Sequence, residues 1–155
     1  MFSKIVQKSD WPRFCYVRRF EEPMKDKTIA DYMTHSPHSV GYDQPLTHAH
    51  QIMTEHHIRH LPVLNGGRLV GILSDRDLAF VENLRDVNAV QVRVEEAMTP
   101  TPYCVKKTSS LGHVAREMAE HRYGSAVVME HDHVIGVFTT TDALRALADA
   151  CDGKV

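Results

Sequence analysis

The chain has 155 residues, 43% hydrophobic and 25% charged, with a formal net charge of −2. That balance suits one folded domain or two very small ones sharing a core, and excludes disorder. The apolar runs, such as Ala126–Met129, are far too short to cross a bilayer, and the acidic balance disfavours general nucleic-acid binding.

Residues 1–27 hold seven Lys/Arg and four Asp/Glu, a local +3, with Phe14, Tyr16, Arg18, Arg19 and Phe20 interleaved. Such a segment reads either as an extension packing Trp11, Phe14 and Phe20 on the body, or as a basic arm for nucleic acid or a protein partner. A charge this small gives weak phosphate affinity at physiological salt, which favours the packed extension. No apolar export signal follows Met1. Cys15, Cys104 and Cys151 are scattered and odd in number, so the expected compartment is the reducing cytosol.

From residue 29 the chain repeats itself. Shifted by 65 residues, 29–79 aligns with 94–144 without a gap, and twelve of the 51 pairs are identical, against about three by chance. Each copy predicts a short strand (His38–Val40, Tyr103–Val105) and then a helix. Leu46, Ala49, His50, Met53 and His57 stand at helical spacing after Pro45, as do Leu111, Val114, Ala115, Met118 and Ala119 after Ser109-Ser110. Two strands follow, Leu61–Leu64 and Leu69–Leu73, joined by Asn65-Gly66-Gly67. Their counterparts are Ala126–Met129 and Val134–Phe138, joined around His131-Asp132. A second helix starts near Ser74-Asp75 and Thr139-Thr140 and runs to about Val81 and Ala148. The expected fold class is α/β (α+β), two β-α-β-β-α repeats packed through their sheets with pseudo-two-fold symmetry. The expected division is an extension over 1–27, a first repeat over 28–86, a second over 87–150 and a tail over 151–155.

The strand-to-helix junction carries the chemistry. Gly71-Ile72-Leu73-Ser74-Asp75-Arg76-Asp77 recurs as Gly136-Val137-Phe138-Thr139-Thr140-Thr141-Asp142. A hydroxyl followed three residues later by a carboxylate makes a helix capping box. A carboxylate in that place also suits the vicinal hydroxyls of a ribose beside a helix end that favours anions. Retention of hydroxyl, spacing and carboxylate in both copies favours the ligand role.

Met33-Thr34-x-x-Pro37, His60-Leu61-Pro62-Val63 and the first junction, with Met98-Thr99-x-x-Pro102 and the second junction, resemble a tandem pair of cystathionine β-synthase (CBS) domains, or Bateman module, over about 28–149. The family binds AMP, ADP, ATP, NAD or S-adenosylmethionine in the cleft between repeats. The resemblance implies that Asp77 and Asp142 hold ribose, that Ser74 and Thr139 touch ribose or phosphate, and that Arg76 and Thr141 reach the phosphate. His38 and Val40, with Tyr103 and Val105, would line the adenine slots, with Thr34 and Thr99 near the clefts. Arg59 and His60 stand where some members place phosphate-binding residues; the second copy departs there, with Gly124-Ser125. On this reading Arg59 and His60 serve the Asp77 site, which should bind phosphorylated ligands more tightly, with Arg59 reaching across the cleft as the alternative.

Neither a metal nor catalysis is expected. The eleven histidines, among them His56, His57, His60, His131 and His133, lack recognisable ligand spacing, and His56 and His121, equivalent in the repeat, suggest a shared packing role. No nucleophile motif or phosphate loop is present, and Cys104 is expected to be a buried strand residue. With no effector domain fused, the expected function is an adenine-nucleotide sensor acting through a protein partner or through a homodimer of the kind the family forms. The alternatives are a nucleotide-free dimerisation scaffold and a nucleic-acid-associated regulator using the basic arm.

Overall fold

A computed structural model describes residues 24, 26–84, 88 and 90–154. Both readings of the aromatic and basic segment before Met24 lie outside these residues, as does Cys15. After a short 3-10 turn (Ile29–Asp31) come β1 (Thr34–His35), β2 (Val40–Gly41), α1 (Leu46–His56), β3 (His60–Asn65), β4 (Arg68–Ser74) and α2 (Asp75–Glu82). The second half repeats the order: α3 (Val94–Ala97), β5 (Thr99–Pro100), β6 (Cys104–Lys106), α4 (Leu111–His121), β7 (Ser125–Glu130), β8 (His133–Thr139) and α5 (Thr140–Cys151). Strands and helices are thus the mixed architecture the repeat predicts, with α5 running one turn past the expected end.

The first expected strand of each copy is displaced. Residues 38 and 39 are irregular, and pairing begins at Val40, which lies parallel to Val63. In the second copy it begins at Cys104, parallel to Val127. The hairpins behave as their turn residues dictate. Gly66 and Gly67 both take positive φ, 56° and 81°, the backbone of a two-residue turn that matches strand twist. His131 and Asp132 take the same region at 46° and 64°, without glycine's freedom from steric cost. Ser110 occupies the N-terminal cap of α4 without capping through its side chain; Ser109 Oγ instead accepts from the Lys106 amide at 3.2 Å.

The sheets do not respect the boundaries of the repeats. One sheet has the order β2-β3-β4-β5 and the other β1-β8-β7-β6, so each copy lends its short strand after Met-Thr to the other's sheet. Thr34 pairs with Val137 and Thr99 with Ile72. The cores are exchanged to match. Ile29 and Met33 are buried with Leu111, Val114, Val128 and Phe138, whereas Val94 is buried with Leu46, Leu61, Val63 and Leu73. Glycine makes the crossing possible, since a Cβ on Gly136 would lie 2.6 Å from Met33 Sδ and one on Gly71 would lie 2.5 Å from Met98 Sδ. The two sheets meet through β4 and β8, the strands that end at the two junctions.

Candidate functional site

At each junction the capping box is complete. Asp77 Oδ2 accepts from the Ser74 amide at 2.8 Å and from Ser74 Oγ at 2.6 Å. Asp142 Oδ2 accepts from the Thr139 amide at 2.8 Å and from Thr139 Oγ1 at 2.7 Å. The helix-capping role is therefore present in both copies, and it holds each carboxylate in a fixed rotamer at the mouth of its junction. The two differ in their other oxygen. Asp142 Oδ1 also accepts from Arg145 Nη1 at 2.8 Å, and Asp142 is buried. A carboxylate offers about four lone-pair positions; three are taken at Asp142, which leaves one for a ribose hydroxyl.

The exchanged strand brings the two copies together around Asp142. A cleft of about 450 Å³ is lined by Thr34 through His38 and His57 through His60 from the first copy, and by Val137, Thr139, Thr141 and Asp142 from the second. That volume falls within the range of small-molecule sites. Arg59 Nη2 donates to Thr141 Oγ1 at 3.0 Å. The sequence grouped Arg59 and His60 with Asp77, with Arg59 reaching across the cleft as the alternative; Arg59 takes the alternative, and His60 lines the same cleft while remaining within the field of Asp75 and Asp77. The first copy's own ladder sets His60 opposite Ser74, yet both side chains line the Asp142 cleft, across the boundary between repeats.

His60 is the most enclosed of the cleft imidazoles. Its Nε2 would stand 3.0 Å from a Cβ on Gly124, so the second copy's departure from Arg to Gly at that position makes room for the ring. Burial holds its pKa below the usual imidazole value, opposed by Asp75 and reinforced by Arg59.

Of the residues expected to bind, Thr34, His38, Arg59, His60, Thr139, Thr141 and Asp142 therefore share one cleft. Ser74, Arg76, Asp77, Thr99 and Tyr103 hold the repeat-equivalent positions in sequence and do not line this cleft. Val40 is buried in the first core and Val105 packs on the second, so neither side chain lines this cleft. His35, Ser36, Pro37, His57, Ile58 and Val137 line it without having been singled out. Their signal was adjacency: the first three lie inside the repeated Met-Thr-x-x-Pro segment.

The two sides are not equivalent. In the Asp142 cleft, residues 38 and 58 are His38 and Ile58. Their counterparts, Tyr103 and Tyr123, stack on each other with ring centroids 5.3 Å apart, and Tyr123 also stacks on His121 at 5.3 Å. On the first side His56 stacks directly on His38 at 3.7 Å. His56 and His121 both stack on an aromatic ring, but their partners, His38 and Tyr123, stand at positions that are not equivalent in the repeat, so the expected shared packing role does not hold in detail.

Cys104 is exposed rather than buried. Partial desolvation raises its thiol pKa above the usual value, which keeps it a poor nucleophile. Among the described residues no three His, Cys, Asp or Glu side chains converge as a metal site, and no helix is long and apolar enough to cross a membrane.

The fold and cleft can be set beside known proteins. The structure superposes on CBSX2 in complex with AMP with a TM-score of 0.69 at 28% identity, covering 79% of this chain and 96% of that one; CBSX2 is from Arabidopsis thaliana. The CBS domain pair of protein MJ0100, in complex with 5-methylthioadenosine and S-adenosyl-L-methionine, matches with a TM-score of 0.69 at 25% identity, over 78% of this chain and 99% of that one. By sequence the chain is 28% identical to hypoxic response protein 1 of Mycobacterium tuberculosis, covering 79% of this chain and 86% of that protein. It is 32% identical to a homoserine O-acetyltransferase of Methanocorpusculum labreanum over 80% of this chain, but only 24% of that enzyme. The chain likewise spans 25% of an L-aspartate semialdehyde sulfurtransferase of Methanocaldococcus jannaschii. The CBS domain model matches twice, over residues 29–82 and 94–149, one match to each copy of the repeat. The chain belongs to the CBS-domain family, as a tandem pair.

Proposed function

We propose that this CBS pair is a non-catalytic regulatory module that binds an adenosine-containing ligand in the Asp142 cleft and passes its state to a protein partner. The observation that carries the reading is the convergence there of a hydroxyl–carboxylate junction from one copy with Arg59 and His60 from the other. Asp142 would take a ribose hydroxyl, Thr139 the ribose or phosphate, and Arg59 and Thr141 the phosphate. His38 and Ile58 would flank the base. AMP bound to CBSX2, and 5-methylthioadenosine and S-adenosyl-L-methionine bound to MJ0100, support the ligand class. Ligand contacts from both copies would stiffen one copy against the other, and that is a signal a partner can read.

The assembly proposed is a homodimer. Leu144, Leu147, Ala148 and Cys151 form an exposed stripe along α5 at helical spacing, a face that suits a second copy. Free, exposed Cys104 and Cys151 suit a reducing compartment such as the cytosol.

Calorimetric titration with AMP tests the reading, alongside mass spectrometry of any small molecule that co-purifies. Micromolar binding of AMP is the expected result, with guanine nucleotides weaker. Absence of binding below about millimolar, roughly −4 kcal/mol, replaces it with the ligand-free scaffold. That second reading has one observation in its favour: both oxygens of Asp142 already accept hydrogen bonds from Thr139 and Arg145.

A further inference from the structure

One wall of the Asp142 cleft is built from imidazoles. His35 ends β1, His38 lies in the segment after it, His57 caps α1 in the left-handed conformation, and His60 opens β3. Arg59 stands between the last two. Asp142 is the one carboxylate among the described residues lining the cleft, and Arg145, from its own helix, already neutralises it. The charge left free in the cleft is therefore positive, that of Arg59. An adenosine ligand with a fixed cationic sulfonium meets Arg59 and finds no free carboxylate, whereas a phosphate meets a counter-charge.

We propose that this cleft selects phosphorylated adenosine ligands over uncharged or cationic ones, and that capture of the anion is coupled to proton uptake by His60, the imidazole enclosed between the cleft and Gly124. The inference rests on the adenosine reading above and adds to it the ligand's charge class and a dependence on pH.

His60 shows how the coupling works. Its ring lies against Gly124, with Asp75, Arg76 and Asp77 near it on α2, Arg59 beside it, and Thr139 and Asp142 on the opposite wall. Burial lowers its pKa and so favours the neutral ring. A phosphate adds a negative charge that none of these groups supplies from the phosphate side, and so raises the pKa of the imidazole. The sign follows directly. The liganded protein binds more protons than the free one, so affinity for the anion rises as pH falls toward the imidazole range near about 6.5.

The test is calorimetric titration of the full chain with AMP, adenosine and S-adenosylmethionine at about pH 8 and about pH 6.8. Both values lie above the second phosphate pKa of about 6, so the AMP charge stays nearly constant. Two buffers of different ionisation heat, neither of them phosphate, count the protons taken up. AMP is expected to bind at least about tenfold tighter than either other ligand, and to gain about three- to tenfold at the lower pH, with net proton uptake. Adenosine is expected to stay level across the same step. His60→Gln and His60→Asn, each confirmed folded by its thermal transition, are expected to shrink the AMP step. Equal affinity for AMP and S-adenosylmethionine overturns the inference while leaving the adenosine reading standing. So does an AMP affinity that ignores pH, or a pH step that survives intact in both variants. Silence from all three ligands overturns the adenosine reading and this inference with it.

Discussion

Arg59 Nη2 donates to Thr141 Oγ1 at 3.0 Å, tying the loop before β3 in one copy to the first turn of α5 in the other. Both side chains are exposed, so the bond adds little to stability, within about 1 kcal/mol. Its consequence is positional, because it parks a guanidinium at the phosphate end of the cleft. Arg59→Ala is expected to weaken AMP by about ten- to a hundredfold, the worth of a charge-assisted hydrogen bond of about 1.5–3 kcal/mol. Adenosine should be nearly unaffected, and calorimetry with both ligands checks the contrast.

Asp77 and Asp142 make the same capping box, so they form a matched pair. Each change to alanine should destabilise its helix by about 0.5–2 kcal/mol, the cost of a lost cap. Only Asp142 shares a cleft with Arg59 and His60. Asp142→Ala should therefore abolish AMP binding, and Asp77→Ala should reduce it at least about tenfold less. Thermal melts and titrations on the two variants separate folding from binding. An isotherm lost in Asp77→Ala and kept in Asp142→Ala would refute the assignment.

Met98 lies over Gly71, and any side chain there collides with it. A Cβ at position 71 would stand 2.5 Å from Met98 Sδ and 3.0 Å from the Thr99 carbonyl oxygen. Gly71→Ala should cost about 1–3 kcal/mol by overpacking. Adding Met98→Ala should recover part of that loss, with a coupling of about 0.5–3 kcal/mol in a urea double-mutant cycle. Simple additivity would deny the crossing contact.

The second hairpin holds a reserve of stability. His131 and Asp132 sit at φ 46° and 64°, where the first hairpin has two glycines. His131→Asn with Asp132→Gly should remove steric cost and stabilise the chain by about 1 kcal/mol, since αL costs an ordinary L-residue roughly 1–2 kcal/mol. The melting temperature should rise by about 2–4 °C. A lower melting temperature would show that the turn adopts another backbone.

Leu144 and Leu147 are 65% and 58% exposed along α5. Light scattering at tens of micromolar should report a dimer, and Leu144→Asp with Leu147→Asp should report a monomer of unchanged helix content. A monomeric parent protein would leave that stripe without its proposed partner.

The 65-residue echo made the helices at Leu46 and Leu111, the hairpin at Gly66-Gly67 and the two carboxylate junctions legible, because each carries a periodicity or a turn chemistry of its own. The exchange of Thr34-His35 and Thr99-Pro100 was hidden. A two-residue strand has no period to read, and its partner lies in the other copy. The allegiance of Arg59 was hidden for a related reason. The β3–β4 ladder sets the backbone of His60 opposite Ser74, which suggests the other carboxylate, whereas the His60 ring uses space left by Gly124 and Arg59 bonds to Thr141 of the other copy. The stacking of Tyr103 on Tyr123 depends likewise on a relation between a strand edge and a helix end that sequence spacing does not encode.

Thr34 waits for Val137, and Ile72 waits for Thr99. A chain leaving the ribosome N-terminus first therefore carries an early strand with nothing to join until β8 has been made. Meanwhile β4 shows an open edge until β5 follows it out. Such edges pair with whatever strand is offered. Both halves must be present before either sheet is finished, so pairing of β1 also certifies that translation has passed β8.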